Sequence, residues 1–145
     1  MVAAAARRKP ARFKLSAPIV REPVLHREVA QVLRLEIAAP GHVSREGVVW
    51  WSIDIAAYAG SVPGLRTARG VIAGIPDIVV LYVGRAFFVE LKAQDGLLSP
   101  AQERVGTSIL LADARYGVAR SSHEVLVLLD GWEIPRRRAV KTGTL

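Results

Sequence analysis

The sequence predicts a small mixed α/β domain, because helical and strand-like patterns alternate along the chain. Apolar residues recur at helical spacing between Leu25 and Leu33, which indicates an amphipathic helix. Two apolar runs flank Gly84-Arg85, a pair that suits a two-residue β-hairpin turn. The segment Ser99-Pro100-Ala101-Gln102 indicates a helix N-terminus, with Ser as the N-cap, Pro at the first position and Gln at the third.

The individual elements follow in chain order from local signals. Pro23 suits the first turn of a helix and Pro40-Gly41 stops it, so a helix is predicted over 22–37. A strand over 48–53, a short helix over 54–59 and a glycine-rich loop over 60–74 come next. The remaining predictions are hairpin strands over 77–83 and 86–93, a helix over 99–115 closed by Tyr116-Gly117, a strand over 118–120 and a helix over 122–129.

Composition limits the class of protein. The chain has 145 residues, of which 51% are apolar, enough for one domain with its own core. No apolar run approaches the roughly 18 residues that a membrane span requires, so no membrane partner is expected. The chain contains no cysteine, which excludes disulfides and thiolate zinc sites. The alanines of 3–6 precede Arg7-Arg8-Lys9, the reverse of the order in a signal peptide, so a cytoplasmic protein is expected.

The net charge of +7 comes from the two ends of the chain. Five Lys or Arg residues and no acid lie within 1–14, and four lie within 136–145, whereas the rest carries 11 basic and 13 acidic residues. We therefore predict a basic disordered arm over 1–20, a folded domain over 21–133 and a basic C-terminal tail over 134–145. Such arms either attract the phosphate backbone of a nucleic acid or serve as solvated tails that keep the protein soluble.

The hairpin contains three charged residues, Asp77, Glu90 and Lys92, where a buried sheet should be apolar. If Gly84-Arg85 forms a type II′ turn, Asp77 lies opposite Lys92 and Val79 lies opposite Glu90. Because side chains alternate along a strand, the three charged residues are then predicted to share one face of the sheet. A slip of one residue would move Asp77 to the other face.

Two carboxylates on one face repel each other unless a proton or a cation lies between them. Mg²⁺ prefers carboxylates, backbone carbonyls and waters, and the Leu91 carbonyl is the candidate for a third ligand. Lys92 is then placed to orient or activate a water, or to stabilise charge on a phosphate, which suits phosphodiester hydrolysis. The alternative is a structural ion pair of Lys92 with Asp77 or Glu90 at the edge of the sheet.

The arrangement of Asp77 and Glu90-Leu91-Lys92 resembles the core motif of the PD-(D/E)xK nucleases. Together with Gly74-Ile75-Pro76-Asp77 and Leu98-Ser99-Pro100-Ala101-Gln102, the ordered set is similar to the VRR-NUC branch of that superfamily, over 22–129. The resemblance implies a restriction-endonuclease-like core, in which helices flank a mixed central β-sheet. It also implies Mg²⁺, with Mn²⁺ as a substitute, at the two carboxylates.

The same resemblance implies two further site residues. A glutamate from the first helix joins the metal site in the family; Glu28 matches it best by position, with Glu22 and Glu36 as competitors. Gln102 matches a glutamine at a helix start that faces the active site, and it also completes a capping box with Ser99. Both roles of Gln102 are compatible.

The function implied by the resemblance is metal-dependent endonucleolytic hydrolysis of DNA, in which a water expels the 3′-oxygen and leaves a 5′-phosphate. Compact phage and bacterial members act on branched DNA such as four-way junctions and resemble homodimeric resolvases, since cutting two strands requires two sites. Alternatives are a non-catalytic DNA-binding or interaction module on the same fold, and a nuclease for plain duplex DNA or RNA. His26, His42 and His123 show no metal-ligand spacing, so no catalytic histidine is expected.

Overall fold

In a computed structural model of the chain, residues 20–53 and 69–137 are described, so the N-terminal arm up to residue 19, the predicted helix over 54–59 and most of the glycine-rich loop fall outside these ranges. The described ranges contain three helices and four strands, which confirms a mixed α/β fold. They are α1 (Glu22–Glu36), β1 (Val49–Ser52), β2 (Ile78–Tyr82), β3 (Arg85–Leu91), α2 (Pro100–Leu111), β4 (Arg115–Ala119) and α3 (Ser122–Gly131). None of these three helices is both long and apolar enough to cross a membrane.

The four strands form one mixed sheet in the order β1-β2-β3-β4. The pairs β1-β2 and β2-β3 are antiparallel, whereas β4 lies parallel to β3. A parallel pair cannot be joined by a tight turn and requires a crossover connection, which α2 supplies.

Helices cover both faces of this sheet. The helices α1 and α3 bury one face, with a core drawn from Leu25, Val29 and Leu33 of α1, Val125 and Leu129 of α3, and Trp50, Ile78, Val80, Phe87, Val89 and Leu91 of the sheet. On β4, Gly117 faces α3, since a Cβ there would meet Leu128 at 2.7 Å. Its neighbour Tyr116 points to the opposite face, where its ring packs against Gly106 of α2.

The hairpin turn lies one residue earlier than predicted. Val83 and Gly84 have φ angles of 50° and 72°, and positive φ at both central residues defines a type I′ turn rather than the predicted type II′ turn at Gly84-Arg85. Val79 therefore pairs with Phe88 instead of Glu90. Each pairing is displaced by two residues, so every side chain stays on its predicted face.

The helix over 99–115 was predicted too long, and β4 too short. The helix α2 ends at Leu111, because Asp113 adopts a left-handed φ of 61° that terminates the helical backbone. Tyr116-Gly117, predicted to close the helix, instead lies in the middle of β4. The prediction missed this boundary because Tyr116-Gly117 suits the glycine stop of a helix, whereas Gly117 is required where β4 packs against Leu128.

The folded domain continues beyond the predicted boundary at Glu133. Ile134 is buried in the core. Arg136 donates to Glu36 at 2.8 Å and makes a bidentate contact with Asp130. Arg137 donates to the Ile37 carbonyl at 2.9 Å. Residues 134–137, predicted as the start of the basic tail over 134–145, therefore tie the chain to the end of α1, whereas 138–145 lie outside the described residues.

Candidate functional site

The two predicted carboxylates lie on neighbouring strands. Ile78 pairs with Val89, so Asp77 and Glu90 come next in register, on the opposite face from Ile78. The Leu91 N–H donates to Asp77 Oδ2 at 2.7 Å, which fixes the Asp77 carboxylate against β3. Glu90 is only 2% exposed, an unusual environment for a carboxylate.

Lys92 lies beside these carboxylates and is itself buried. Its Nζ is 3.3 Å from Glu22 Oε1 and 3.7 Å from Glu90 Oε1. The register had predicted Asp77 as the residue opposite Lys92, whereas the observed partners of the ammonium are the two glutamates. The Lys92 ammonium therefore offsets part of the negative charge of Glu22 and Glu90.

Gln102 forms the predicted capping box with Ser99 and also contacts Glu90. In the capping box at the start of α2, Gln102 N donates to Ser99 Oγ, and the Ser99 N–H donates to Gln102 Oε1 at 2.9 Å. With its carbonyl oxygen used in this way, the amide presents Nε2 to Glu90 Oε1 at 2.5 Å. The cap thus orients the amide that binds the buried carboxylate.

Glu28, the predicted helical ligand, is not brought to this cluster. Its Oε1 accepts a hydrogen bond of 2.6 Å from Ser122 Oγ at the start of α3. Glu22 is the α1 glutamate that reaches Lys92. Six helical residues correspond to about 9 Å along the axis and roughly 120° around it, so the two glutamates cannot serve one site. Of the three predicted candidates, the structure brings Glu22, and not Glu28, to the residues of the site.

His26 lies beside the site, although no catalytic histidine was expected. Its Nε2 is 3.2 Å from Asp77 Oδ1. Hydrogen bonding to Asp77 raises the pKa of His26, and the charges of Asp77, Glu22 and Glu90 raise it further, while burial opposes them. The sequence held a signal: His26 follows Glu22 by four residues, so both lie on one face of α1.

The buried carboxylate of Glu90 is incompletely satisfied. Among the described residues, its Oε2 is buried and has no hydrogen-bond partner, and the same is true of the Tyr116 hydroxyl. The pKa of Glu90 is raised from 4.5 to about 7, mainly by burial and then by the charge of Asp77, while Lys92 opposes the rise. Burial also raises the pKa of Tyr116 to about 12, with smaller contributions from Glu90 and Asp77. An uncompensated oxygen beside a second carboxylate is an environment that a cation would relieve.

These residues fit Mg²⁺, although the fit is sparse. Within 20–53 and 69–137, no three His, Asp or Glu side chains form a cluster ready to hold a metal. Mg²⁺, however, is usually bound by one or two carboxylates and keeps several waters, so it needs no all-protein cage. Asp77 and the unpartnered oxygen of Glu90 supply this donor set.

Comparison of the chain with protein-family models, curated proteins and solved structures gives no match. A fold class by itself does not specify a function. The function must therefore be inferred from the side chains at this site.

Replacing Glu90 with glutamine is expected to stabilise the cation-free protein at neutral and higher pH. Because the pKa of Glu90 is raised in the folded state, its stabilising contribution is full below pH 4.5 and is lost as pH rises through about 7. A rise from 4.5 to about 7 corresponds to about 3 kcal/mol in the free energy of unfolding. Urea denaturation in chelator at several pH values measures this difference between the variant and the wild type.

Mg²⁺ should reverse the comparison, because a cation that binds only the folded state stabilises it and the variant binds the cation less well. Glutamine retains an acceptor for Gln102, so loss of that hydrogen bond does not complicate the experiment. Parallel stability profiles for the two proteins across the whole pH range would mean that Glu90 carries no burial penalty.

Proposed function

We propose that this protein is a divalent-cation-dependent DNA endonuclease of the VRR-NUC type, built on a restriction-endonuclease-like core. The convergence of Asp77, Glu90 and Lys92, with a buried Glu90 oxygen that has no partner, supports this proposal. The mixed sheet flanked by helices agrees with such a core. A purely structural ion pair gives no reason for a second carboxylate beside Glu90 or for the unpartnered oxygen.

Asp77 and Glu90 would hold Mg²⁺ or Mn²⁺, with the Leu91 carbonyl as the proposed third protein ligand. When bound, the cation lowers the pKa of a water and neutralises charge that develops on the phosphate. Asp77 is held for this role by the Leu91 N–H, and Glu90 by the Gln102 amide. These donors fix both carboxylates without using the free oxygen of Glu90.

Lys92 would orient the attacking water or stabilise the phosphorane-like charge of the transition state. Its ammonium is held by Glu22 and Glu90, so its position is set before substrate binds. The water attacks phosphorus in line with the 3′-oxygen, which leaves with the electron pair of the broken P–O bond and takes up a proton. The product carries a 5′-phosphate.

Branched DNA, such as a four-way junction, is the proposed substrate, and a homodimer is the proposed assembly. Two copies supply the two sites that symmetric cleavage of two strands requires. The basic residues within 1–14 are proposed to attract the phosphate backbone, since the rest of the chain away from its ends carries more acidic than basic residues.

Incubation of purified protein with labelled junction, flap and duplex DNA, and with RNA, tests the proposal. Wild type is expected to cut DNA only when Mg²⁺ or Mn²⁺ is present, to prefer junctions, and to leave 5′-phosphates. Asp77→Asn should reduce the cleavage rate by at least about 100-fold, because a carbonyl and an amide replace a carboxylate at the cation.

Asp113→Asn is a matched control, since Asp113 is exposed at the end of α2 and asparagine tolerates its left-handed φ of 61°. This variant should cut like wild type. Cleavage in chelator, or equal cutting by Asp77→Asn, would contradict the site. DNA binding with no cleavage under any condition would favour the non-catalytic module.

A further inference from the structure

We infer that His26 is a positioning residue for the proposed metal site. Its imidazole holds the Asp77 carboxylate in the orientation that binds the cation. The inference rests on the proposed function and adds a residue from α1. It assigns His26 to the Asp77 carboxylate, with no contact to the cation or to DNA.

The two oxygens of Asp77 are each held by a different element. The Leu91 N–H donates to Oδ2 at 2.7 Å, and His26 Nε2 lies 3.2 Å from Oδ1. One donor is backbone in β3, and the other comes from a helix that packs on the other face of the sheet. With both oxygens held, the plane of the carboxylate is fixed, and one lone pair of each oxygen still points away from its donor.

The start of α1 contacts charged residues next to two strands of the site. Glu22 reaches Lys92 of the segment after β3, and His26, one helical turn later, reaches Asp77 before β2. Leu25 lies between Glu22 and His26 in the sequence and is buried in the core, which anchors this turn of the helix. The helix α1 therefore sets the positions of both the Lys92 ammonium and the Asp77 carboxylate.

The size of the effect on metal affinity, compared with the effect on stability, distinguishes a positioning role for His26 from a purely structural one. The His26 side chain is 34% exposed and the Asp77 side chain is 22% exposed. Ion pairs with this degree of exposure contribute about 0–1 kcal/mol to stability. Groups that orient metal ligands, in contrast, change metal affinity by about 10–100-fold when they are replaced.

The test measures Mn²⁺ binding by isothermal titration calorimetry on the full chain, for wild type, His26→Ala, His26→Gln and the control His42→Ala. His42 is an exposed histidine in the loop between α1 and β1. We expect His26→Ala to weaken Mn²⁺ binding by about 10–100-fold, while the control binds like wild type. His26→Gln should restore most of the affinity, because the glutamine amide offers a donor at a similar reach.

The visible absorption of bound Co²⁺ separates positioning from direct coordination. Band positions that are the same in wild type and His26→Gln support positioning, whereas bands that shift on loss of a nitrogen ligand overturn it. Wild-type affinity in His26→Ala also overturns it, even if the protein is a nuclease. If wild type binds no Mn²⁺ and cuts no DNA, the proposed function fails together with this inference.

Discussion

Replacing Lys92 with methionine is expected to slow DNA cleavage by on the order of 1,000-fold, the effect of removing one charged or donor group that stabilises a transition state. Methionine keeps the length and apolar stem of lysine in a position that is only 9% exposed, so the packing survives. Single-turnover cleavage with saturating Mg²⁺ measures the chemical step directly.

The same variant is expected to bind the cation at least as tightly as wild type. The Lys92 ammonium lies 3.7 Å from Glu90 Oε1, where it repels a cation held by that carboxylate. Loss of cleavage with retained binding therefore distinguishes Lys92→Met from Asp77→Asn, which should lose both. Arg85→Met removes a positive charge from the exposed first residue of β3, at the opposite end of that strand from Glu90, and should leave both properties unchanged.

Wild-type cleavage by Lys92→Met would reduce Lys92 to a structural ion pair with Glu22 and Glu90. The urea-unfolding free energy of the variant then measures how much the ion pair contributes to stability. A buried ammonium removed from two carboxylates leaves them uncompensated, so a loss of stability at neutral pH is expected in either case.

The shared face of the site residues could be predicted from sequence because it depends only on parity. The turn was placed one residue late, yet Asp77, Glu90 and Lys92 kept their face, since the pairing moved by two residues. The pairing itself could not be predicted, because Val83 takes a positive φ that a β-branched residue rarely adopts. Gly84 suits the second central position of the observed type I′ turn, but no local feature marks Val83 for the first.

The contribution of α1 was harder to predict. The helix and its buried stripe of Leu25, Val29 and Leu33 follow from periodicity. Several polar residues lie beside that stripe. The one that contacts the site is decided by how far the helix extends past the ends of the strands, and this depends on tertiary packing. A spacing of four between Glu22 and His26 marks a shared face, but Glu28 and Glu36 carry no local feature that separates them from Glu22.

The start of α2 is positioned at the site by a contact that only glycine permits. Gly74, in the loop before β2, has a φ of +85°, a region that residues with a Cβ rarely occupy. A Cβ on it would lie 2.5 Å from the Ala101 carbonyl group and 2.7 Å from the Gln102 backbone nitrogen. These are backbone atoms, which cannot move aside by a change of rotamer. The close approach holds the Asp77 loop against the residue that binds Glu90.

Gly74→Ala is therefore expected to lower the free energy of unfolding by about 3 kcal/mol or more, from backbone strain together with overpacking. Gly70→Ala is the matched control: its φ of +78° carries the same strain, but a Cβ there meets nothing within 4 Å, so about 1 kcal/mol is expected. Urea denaturation of both variants isolates the steric contact.

In the fraction of Gly74→Ala that folds, α2 must shift and Gln102 must move away from Glu90, so Mn²⁺ affinity should fall as well. Equal stability of the two variants would show that the loop, rather than α2, yields, and that the position of Gln102 does not depend on Gly74.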